Sequence, residues 1–228
     1  MTWREKYLNQ IVCGDCLELM PELPAGTVDL ILTDPPWFAP VATYTGRDVK
    51  RNYADFAPLI YWWERGYIKE AKRVLANTAW FLSFCGSVSL SVFYPTIYNF
   101  WKAVDVLVWD KGRIGMGRPW RKQYELIIAA HDEDYCKGDM ATRADILKFT
   151  PINHTNRTHQ AEKPVTLLSE LIKATTAEGA IIFDPFVGTG ATAVAAQKLN
   201  RNYIGLEINP DYCEIARKRL AQEVLINA

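Results

Sequence analysis

Short apolar runs recur along the chain, and most of them are apolar at consecutive rather than alternate positions. Strands with this pattern are buried on both faces, as in parallel sheets that helices cover. The runs occupy residues 28–33, 79–84, 104–109, 125–130, 180–183 and 203–206. Segments with helical periodicity lie between several of them. The sequence therefore predicts an α/β fold, with a mostly parallel twisted sheet and helices on both faces.

Helical patterns are clearest in three segments. Apolar residues recur at three- and four-residue spacings in residues 58–75 and 164–174, and Pro164 suits a first helical turn. Asn209-Pro210 opens a last helix that we expect to reach about Val224. Residues 38–56 and about 132–162 do not follow this alternation of strand and helix patterns, so we expect long loops there. Long loops in a compact domain are often functional.

The size and composition fit one domain that acts inside a cell. A chain of 228 residues, of which 49% are hydrophobic, can form one substantial core. Five cysteines, an odd number, favour a reducing cytoplasm over a disulfide framework. No apolar run approaches the length of a membrane span. We therefore expect a single cytoplasmic domain that comprises residues 1–228.

The first motif that carries chemistry is Asp34-Pro35-Pro36-Trp37, directly after the first predicted strand. Ligands of open α/β sheets bind beyond the carboxyl ends of the strands, so the position favours a site. Asp34 and the Pro35 carbonyl can accept both hydrogens of an exocyclic amine, while a base stacks on Trp37. The nitrogen lone pair is then available to attack an electrophilic methyl group. A plain strand-to-loop turn is the alternative, because Asp-Pro is common in turns.

The second motif is the glycine-rich turn Asp184-Pro185-Phe186-Val187-Gly188-Thr189-Gly190. It lies between a predicted strand and a helix that starts near Ala191, where glycines let the backbone approach a ligand closely. Glu207 ends the next predicted strand, at the spacing where an acid meets the ribose hydroxyls of a nucleotide. The glycine pattern also matches the dinucleotide fingerprint, so it does not identify the ligand alone. Asp184 and Phe186 favour a ligand with an amino group and a sulfonium over a pyrophosphate.

Together the two motifs resemble those of the amino-methyltransferases of DNA, which carry Asp-Pro-Pro-aromatic at the catalytic loop and Phe-x-Gly-x-Gly at the cofactor loop. The catalytic motif at 34–37 precedes the cofactor motif at 184–190, as in the β-group of N6-adenine and N4-cytosine enzymes. The resemblance includes Gly14-Asp15 and residues 159–164, where Gln160 replaces the first proline of the family's His-Pro-x-x-Lys-Pro. It implies a Rossmann-like S-adenosylmethionine-dependent methyltransferase fold and a bacterial or phage setting.

The resemblance also implies a role for each matching residue. Asp34 and Pro35 would hold the target amine, Pro36 would shape the loop, and Trp37 would stack on the base. The residues implied to bind S-adenosylmethionine are Asp15, Lys163, Asp184, Phe186, Gly188, Gly190 and Glu207. In this family Asp at the first catalytic position usually accompanies adenine, so we expect methyl transfer to the N6 amine of adenine in DNA. Transfer from a sulfonium needs no metal, and none is predicted.

A basic segment is expected to contact the DNA phosphates, because the formal net charge of zero requires a local patch. Residues 111–122 contain three glycines and no acid. Their five cations are Lys111, Arg113, Arg118, Arg121 and Lys122. A solvated basic loop is the plain alternative. We expect a small inserted DNA-recognition region at about 110–160, and a target base that is flipped out or unpaired.

Other functions remain open from the sequence. The same site could methylate the N4 amine of cytosine. It could also act on RNA or on a protein glutamine amide, although the protein-directed enzymes carry Asn where Asp34 stands. An NAD-dependent dehydrogenase would use the glycines but leave residues 34–37 without a purpose. A non-catalytic DNA-binding module would need neither motif. The sequence also does not decide whether the protein forms a homodimer.

Overall fold

The computed structural model describes residues 2–36, 63–115, 120–132, 143–152 and 162–227. Within these residues the strands form one eight-stranded sheet of order β1-β8-β7-β2-β3-β5-β4-β6. The strands are β1 Gln10–Cys13, β2 Val28–Thr33, β3 Leu75–Cys85, β4 Ala103–Asp110, β5 Tyr124–His131, β6 Ile146–Lys148, β7 Ile181–Asp184 and β8 Asn202–Glu207. The five strands from β1 to β3 in this order are parallel, and β5 is antiparallel to both β3 and β4.

Helices cover both faces of this sheet. They are α1 Trp3–Tyr7, α2 Cys16–Leu19, α3 Ile68–Val74, α4 Ser87–Tyr98, α5 Val165–Thr175, α6 Ala191–Lys198 and α7 Pro210–Asn227. Helices α1, α3 and α4 pack into one hydrophobic core, and α5, α6 and α7 pack into the other. The expected α/β fold is confirmed. None of the helices in the described residues is long and apolar enough to cross a membrane.

The position of the strands between two layers of helices explains their consecutive apolar residues. Successive side chains of a strand point to opposite faces, so a strand between two layers of helices must be apolar at every position. In β5, Ile127 packs into the core under α5 to α7, and Ile128 packs into the core under α3 and α4. Trp80 and Phe81 divide between the two cores in the same way on β3.

The predicted elements differ from the observed ones mainly where an element is short or where one predicted helix contains more than one type of structure. All six predicted strands are present, but the sequence analysis missed β1, β6, α1, α2 and α4. Residues 63–67 of the first predicted helix form a π-helical turn before α3, and Leu75 begins β3 instead of ending a helix. Helix α4 contains Pro95, which obscures its pattern. The predicted loop 38–56 lies outside the described residues, and part of the segment 132–162 forms β6.

The sheet brings separate parts of the chain to one edge. Strand β2 ends at Thr33, β7 at Asp184 and β8 at Glu207. Because β5 is antiparallel, its first residues lie at the same edge, where Leu126 pairs with Cys85 at the end of β3. The chain leaves β2 for β3 on one side, while β7 and β8 extend the sheet on the other. This is the switch point at which open α/β sheets bind ligands.

Candidate active site

A cavity of about 550 Å³ opens at this edge of the sheet, between the ends of β2 and β7. Its size lies within the usual range for small-molecule sites. Both sequence motifs contribute to its wall, with Asp34, Pro35 and Pro36 on one side and Asp184, Phe186 and Gly188 on the other. Trp37 lies outside the described residues. The structure therefore brings together two loops that are about 150 residues apart in sequence.

The two glycines of the second motif have different structural roles. Gly188 has a φ of +54°, and a Cβ placed on it would meet no atom within 4 Å, so its inner face is open to the cavity. Gly190 has a φ of +87°, and a Cβ there would lie 2.9 Å from Cβ of Ala216 on α7. A side chain at Gly190 would therefore push α7 away from the start of α6. Only Gly188 leaves room for a ligand.

Asp184 connects three parts of the cavity wall through hydrogen bonds. Its carboxylate accepts hydrogen bonds from Oγ1 of Thr33 at 2.8 Å, from Oγ1 of Thr192 at 2.7 Å and from the backbone N–H of Phe186 at 3.1 Å. Burial raises the pKa of Asp184 to about 6, although these hydrogen bonds favour the ionised form. The residue thus joins β2, the glycine loop and α6.

Glu207 forms the other acidic part of the wall. Its Oε2 accepts a hydrogen bond from the N–H of Gly188 at 2.9 Å, and its Oε1 accepts one from the N–H of Asn209 at 2.8 Å. Each carboxylate oxygen keeps a further lone pair that can accept from a ligand hydroxyl.

Asp15 has a different position. It accepts a hydrogen bond from the N–H of Leu17 at 2.8 Å and so caps α2. Gly14 bonds through its N–H to the carbonyl of Glu207 at 2.9 Å, which keeps this turn beside the end of β8. Among the described residues, those that line the cavity do not include Asp15.

Lys163 lies on the catalytic side of the cavity. Its ammonium group forms an ion pair with the carboxylate of Asp34 and lies 3.3 Å from Oε2 of Glu125. The side chain is 7% exposed and passes over the ring of Phe84. Burial opposes the charged form, but Asp34 and Glu125 together raise the pKa of Lys163 above its ordinary value. The sequence analysis assigned Lys163 to the cofactor, and this stays a prediction; the structure places Lys163 in the cavity wall, paired with Asp34.

The described residues of the basic segment, 111–115 and 120–122, lie between the end of β4 and the start of β5, at the same edge of the sheet, and their two sides form a hairpin. Backbone hydrogen bonds from Lys111 to Gln123 and from Gly115 to Lys122 extend this hairpin. Lys111 pairs with Glu125, Arg113 reaches the carbonyl of Pro151, Arg121 donates to the carbonyl of Gly115, and Lys122 donates to the hydroxyl of Ser87. Arg118 lies outside the described residues. The side chain of Trp120 is 89% exposed.

The sequence analysis missed several residues of the site. Glu125 fell inside a predicted strand, and only the antiparallel direction of β5 puts it at the cavity. Thr33 and Thr192 were missed because a single threonine carries little signal of its own. Glu162 lines the cavity beside Lys163 and pairs with Arg219 at 2.6 Å. The sequence could have indicated Glu162, because it lies in the segment 159–164 that resembles a family motif.

Comparisons with known proteins agree with this geometry. A family model described as DNA methylase, N6_N4_Mtase, matches residues 28–218. YubD of Escherichia coli (strain K12) is 30% identical over 221 residues, covering 94% of this chain and 91% of that protein. The type II methyltransferase M.HinfI of Haemophilus influenzae is 25% identical over 260 residues, covering 95% of this chain and 69% of that protein.

Solved structures show the same fold. The PvuII DNA methyltransferase, which is cytosine-N4-specific, superposes with a TM-score of 0.75 at 18% identity, covering 92% of this chain and 85% of that one. M1.HpyAVI in complex with S-adenosylmethionine gives a TM-score of 0.68 at 21% identity, covering 92% of this chain and 98% of that one.

The fold and the cavity define an S-adenosylmethionine-dependent methyltransferase. The wall fits this cofactor, because Gly188 leaves an open cradle, Glu207 keeps acceptors for hydroxyls, and Phe186 supplies an apolar face. Since the family model covers most of the sequence, the chain belongs to the N6_N4_Mtase family of DNA methylases. This membership removes the dehydrogenase and the non-catalytic DNA-binding module as interpretations.

Proposed function

We propose that the protein transfers the methyl group of S-adenosylmethionine to the N6 amine of adenine in DNA. The observation that carries this proposal is the shared cavity, in which Asp34 and Pro35 face the glycine loop across one space. The first catalytic position is Asp, where the cytosine enzymes of this family usually have Ser. The PvuII DNA methyltransferase, which is cytosine-N4-specific, makes that base the second candidate.

The chain's own residues would prepare the amine for attack. The carboxylate of Asp34 and the carbonyl of Pro35 accept one hydrogen each, which orients the nitrogen lone pair towards the cofactor side of the cavity. The bound cofactor supplies an electrophilic methyl group on a positively charged sulfur. Asp34 also stabilises the positive charge that develops on the nitrogen during transfer, and the hydrogen that Asp34 accepts is then lost as a proton, which leaves the neutral methylated amine. We expect Trp37 to stack on the base.

The base must leave the duplex to reach this site. The cavity is recessed at the sheet edge, and a paired base cannot enter it. The hairpin between β4 and β5 projects beside the opening and carries Lys111, Arg113, Arg121 and Lys122. We infer that this hairpin contacts phosphates and holds the duplex while the target nucleotide is extruded. This hairpin belongs to the recognition region that we expect at about 110–160.

The experiment is a product analysis. Purified protein is incubated with unmodified bacterial genomic DNA and S-adenosylmethionine that carries a deuterated methyl group, and the nucleosides are separated by mass spectrometry. Labelled N6-methyldeoxyadenosine is the expected product. Labelled N4-methyldeoxycytidine would replace the proposal with the second candidate, and the absence of label in both would reject DNA amino-methylation by this chain.

A further inference from the structure

The side chain of Trp120 lies almost entirely in solvent, with 89% of its surface exposed. Ile114 and Tyr124, on the two sides of the same hairpin, are 57% and 43% exposed. Large aromatic side chains normally bury most of their surface in a core or an interface. Trp120 therefore has no packing role of this kind within the described part of the chain, and a group of exposed apolar side chains marks a binding surface.

The residues that follow Trp120 are held against the opposite side of the hairpin. The N–H of Gly115 donates to the carbonyl of Lys122 at 2.8 Å, and Nε of Arg121 donates to the carbonyl of Gly115 at 2.8 Å. A Cβ on Gly115 would lie 2.7 Å from the carbonyl oxygen of Lys122, so glycine allows the two sides to approach. These contacts fix the backbone next to the exposed indole, which reduces the conformational entropy lost when the indole binds.

The hairpin starts at the wall of the active-site cavity. Glu125 lines the cavity, and Lys111 on the other side of the hairpin pairs with it. Trp120 precedes Glu125 by five residues. An extended chain of that length spans at most about 17 Å. One turn of B-DNA is roughly 34 Å long, so a nucleotide held in the cavity leaves its neighbouring base pairs within about half a turn of Trp120.

The charge of the hairpin favours a polyanion on this surface. The described residues of the segment 111–122 contain no acid, and their cations are Lys111, Arg113, Arg121 and Lys122. Cations that contact phosphates hold a duplex in place, and the flat face of a tryptophan can stack on any base. DNA therefore matches both the cations and the indole, whereas an apolar protein surface would match only the indole.

We propose that Trp120 enters the base stack of the duplex and takes the place of the nucleotide that is extruded into the cavity. Extrusion breaks the stacking of the target base on its two neighbours, which opposes this step. An indole in the gap restores stacking to those neighbours, so the extruded state becomes more populated. The inference rests on the proposed function and holds for either target base.

The first test measures the single-turnover rate of methyl transfer with the protein in excess and saturated with S-adenosylmethionine. The substrate is a synthetic duplex with one site that this protein methylates, located by sequencing its product DNA. Trp120→Ala should reduce the rate about tenfold, within the range for loss of a base-stacking aromatic residue. Trp120→Phe keeps a flat ring and should retain most of the rate. Tyr98→Ala, an exposed tyrosine at the end of α4 away from the cavity, is the matched control and should equal the wild type.

The decisive readout uses a second duplex in which the target base faces a mismatched partner. Extrusion costs least for such a base. Once the extruded state is already the populated one, further stacking no longer raises the rate, so Trp120→Ala should approach the wild-type rate on this duplex. Equal losses of Trp120→Ala on the paired and the mismatched duplex overturn the inference, as does a wild-type rate of this variant on the paired duplex.

Two further measurements separate this inference from other roles of the surface. If Trp120 instead contacts a second copy of the chain, Trp120→Ala changes the sedimentation coefficient of the protein, and that result overturns the inference. A lower Tm of Trp120→Ala would reveal a packing role and would overturn it as well. A wild-type protein that methylates no DNA rejects the proposed function and this inference with it, whereas an active wild type with an unaffected Trp120→Ala rejects the inference alone.

Discussion

The two loops that face the cavity are held in different ways. The loop after β7 is fixed by hydrogen bonds from uncharged donors, in which Asp184 and Glu207 accept from backbone N–H groups and from threonine hydroxyls. The loop after β2 is held through Asp34 by the ion pair with Lys163, a residue 129 positions away in sequence. The wall beside Gly188 is therefore held by hydrogen bonds from uncharged groups, whereas Asp34 on the opposite side takes part in an ion pair.

The largest expected effect is on the catalytic side. Asp34→Ala removes the acceptor for the amine, so methyl transfer to DNA should fall on the order of 10²-fold or more. Cofactor affinity, measured by isothermal titration calorimetry, should change little because the loop after β7 keeps its own hydrogen bonds. Loss of cofactor binding in this variant would mean that the two sides are not separable.

A large effect on stability is expected on the cofactor side. Gly190→Ala combines a strained backbone with a contact at 2.9 Å to Ala216. We expect it to lower the free energy of unfolding by about 1–3 kcal/mol, measured by urea titration. Gly26→Ala is the control, because Gly26 has a φ of +67° with no atom within 4 Å and isolates the backbone cost. Equal losses in the two variants would show that α7 is not packed against this loop.

The pH dependence of stability tests the burial of Asp184. Its folded-state pKa of about 6 lies above the ordinary value of 3.8, so the folded state holds a proton that the unfolded state has lost. This contribution to stability is present below about pH 4 and disappears as the pH rises through 6. Between pH 5 and 7.5 the wild type should lose about 1 kcal/mol relative to Asp184→Asn. Parallel pH profiles of the two proteins would show that the carboxyl group is not buried as described.

The smallest expected effect concerns the basic hairpin. Lys122→Gln should reduce the slope of log binding constant against log salt concentration by about one, because one phosphate contact is lost. Fluorescence anisotropy with a labelled duplex at several salt concentrations measures the slope. Lys198→Gln is the control, since that exposed lysine pairs with Glu223 away from the cavity. An unchanged slope in Lys122→Gln would remove this residue from the DNA interface.

The same contrast explains what the sequence could predict. Strands β2, β7 and β8 were predictable because burial on both faces requires consecutive apolar residues, and the two motifs follow directly on these strands. Strand β1 was missed because it has four residues, of which Gln10 and Cys13 are exposed. The pairing of Lys163 with Asp34 and Glu125 was not predictable, because it depends on the strand order and on the reversed direction of β5. The positions of the two motifs follow from local sequence, whereas the contacts of Asp184 with Thr33 and of Lys163 with Asp34 require the complete topology.

The most direct measurement is a crystal structure of the protein with S-adenosylhomocysteine and a DNA duplex that it methylates. The account predicts an adenine outside the helix, with its N6 amine bonded to the Asp34 carboxylate and the Pro35 carbonyl. A complex in which Asp34 remains paired with Lys163, while the methylated nitrogen is held by other residues, would contradict it.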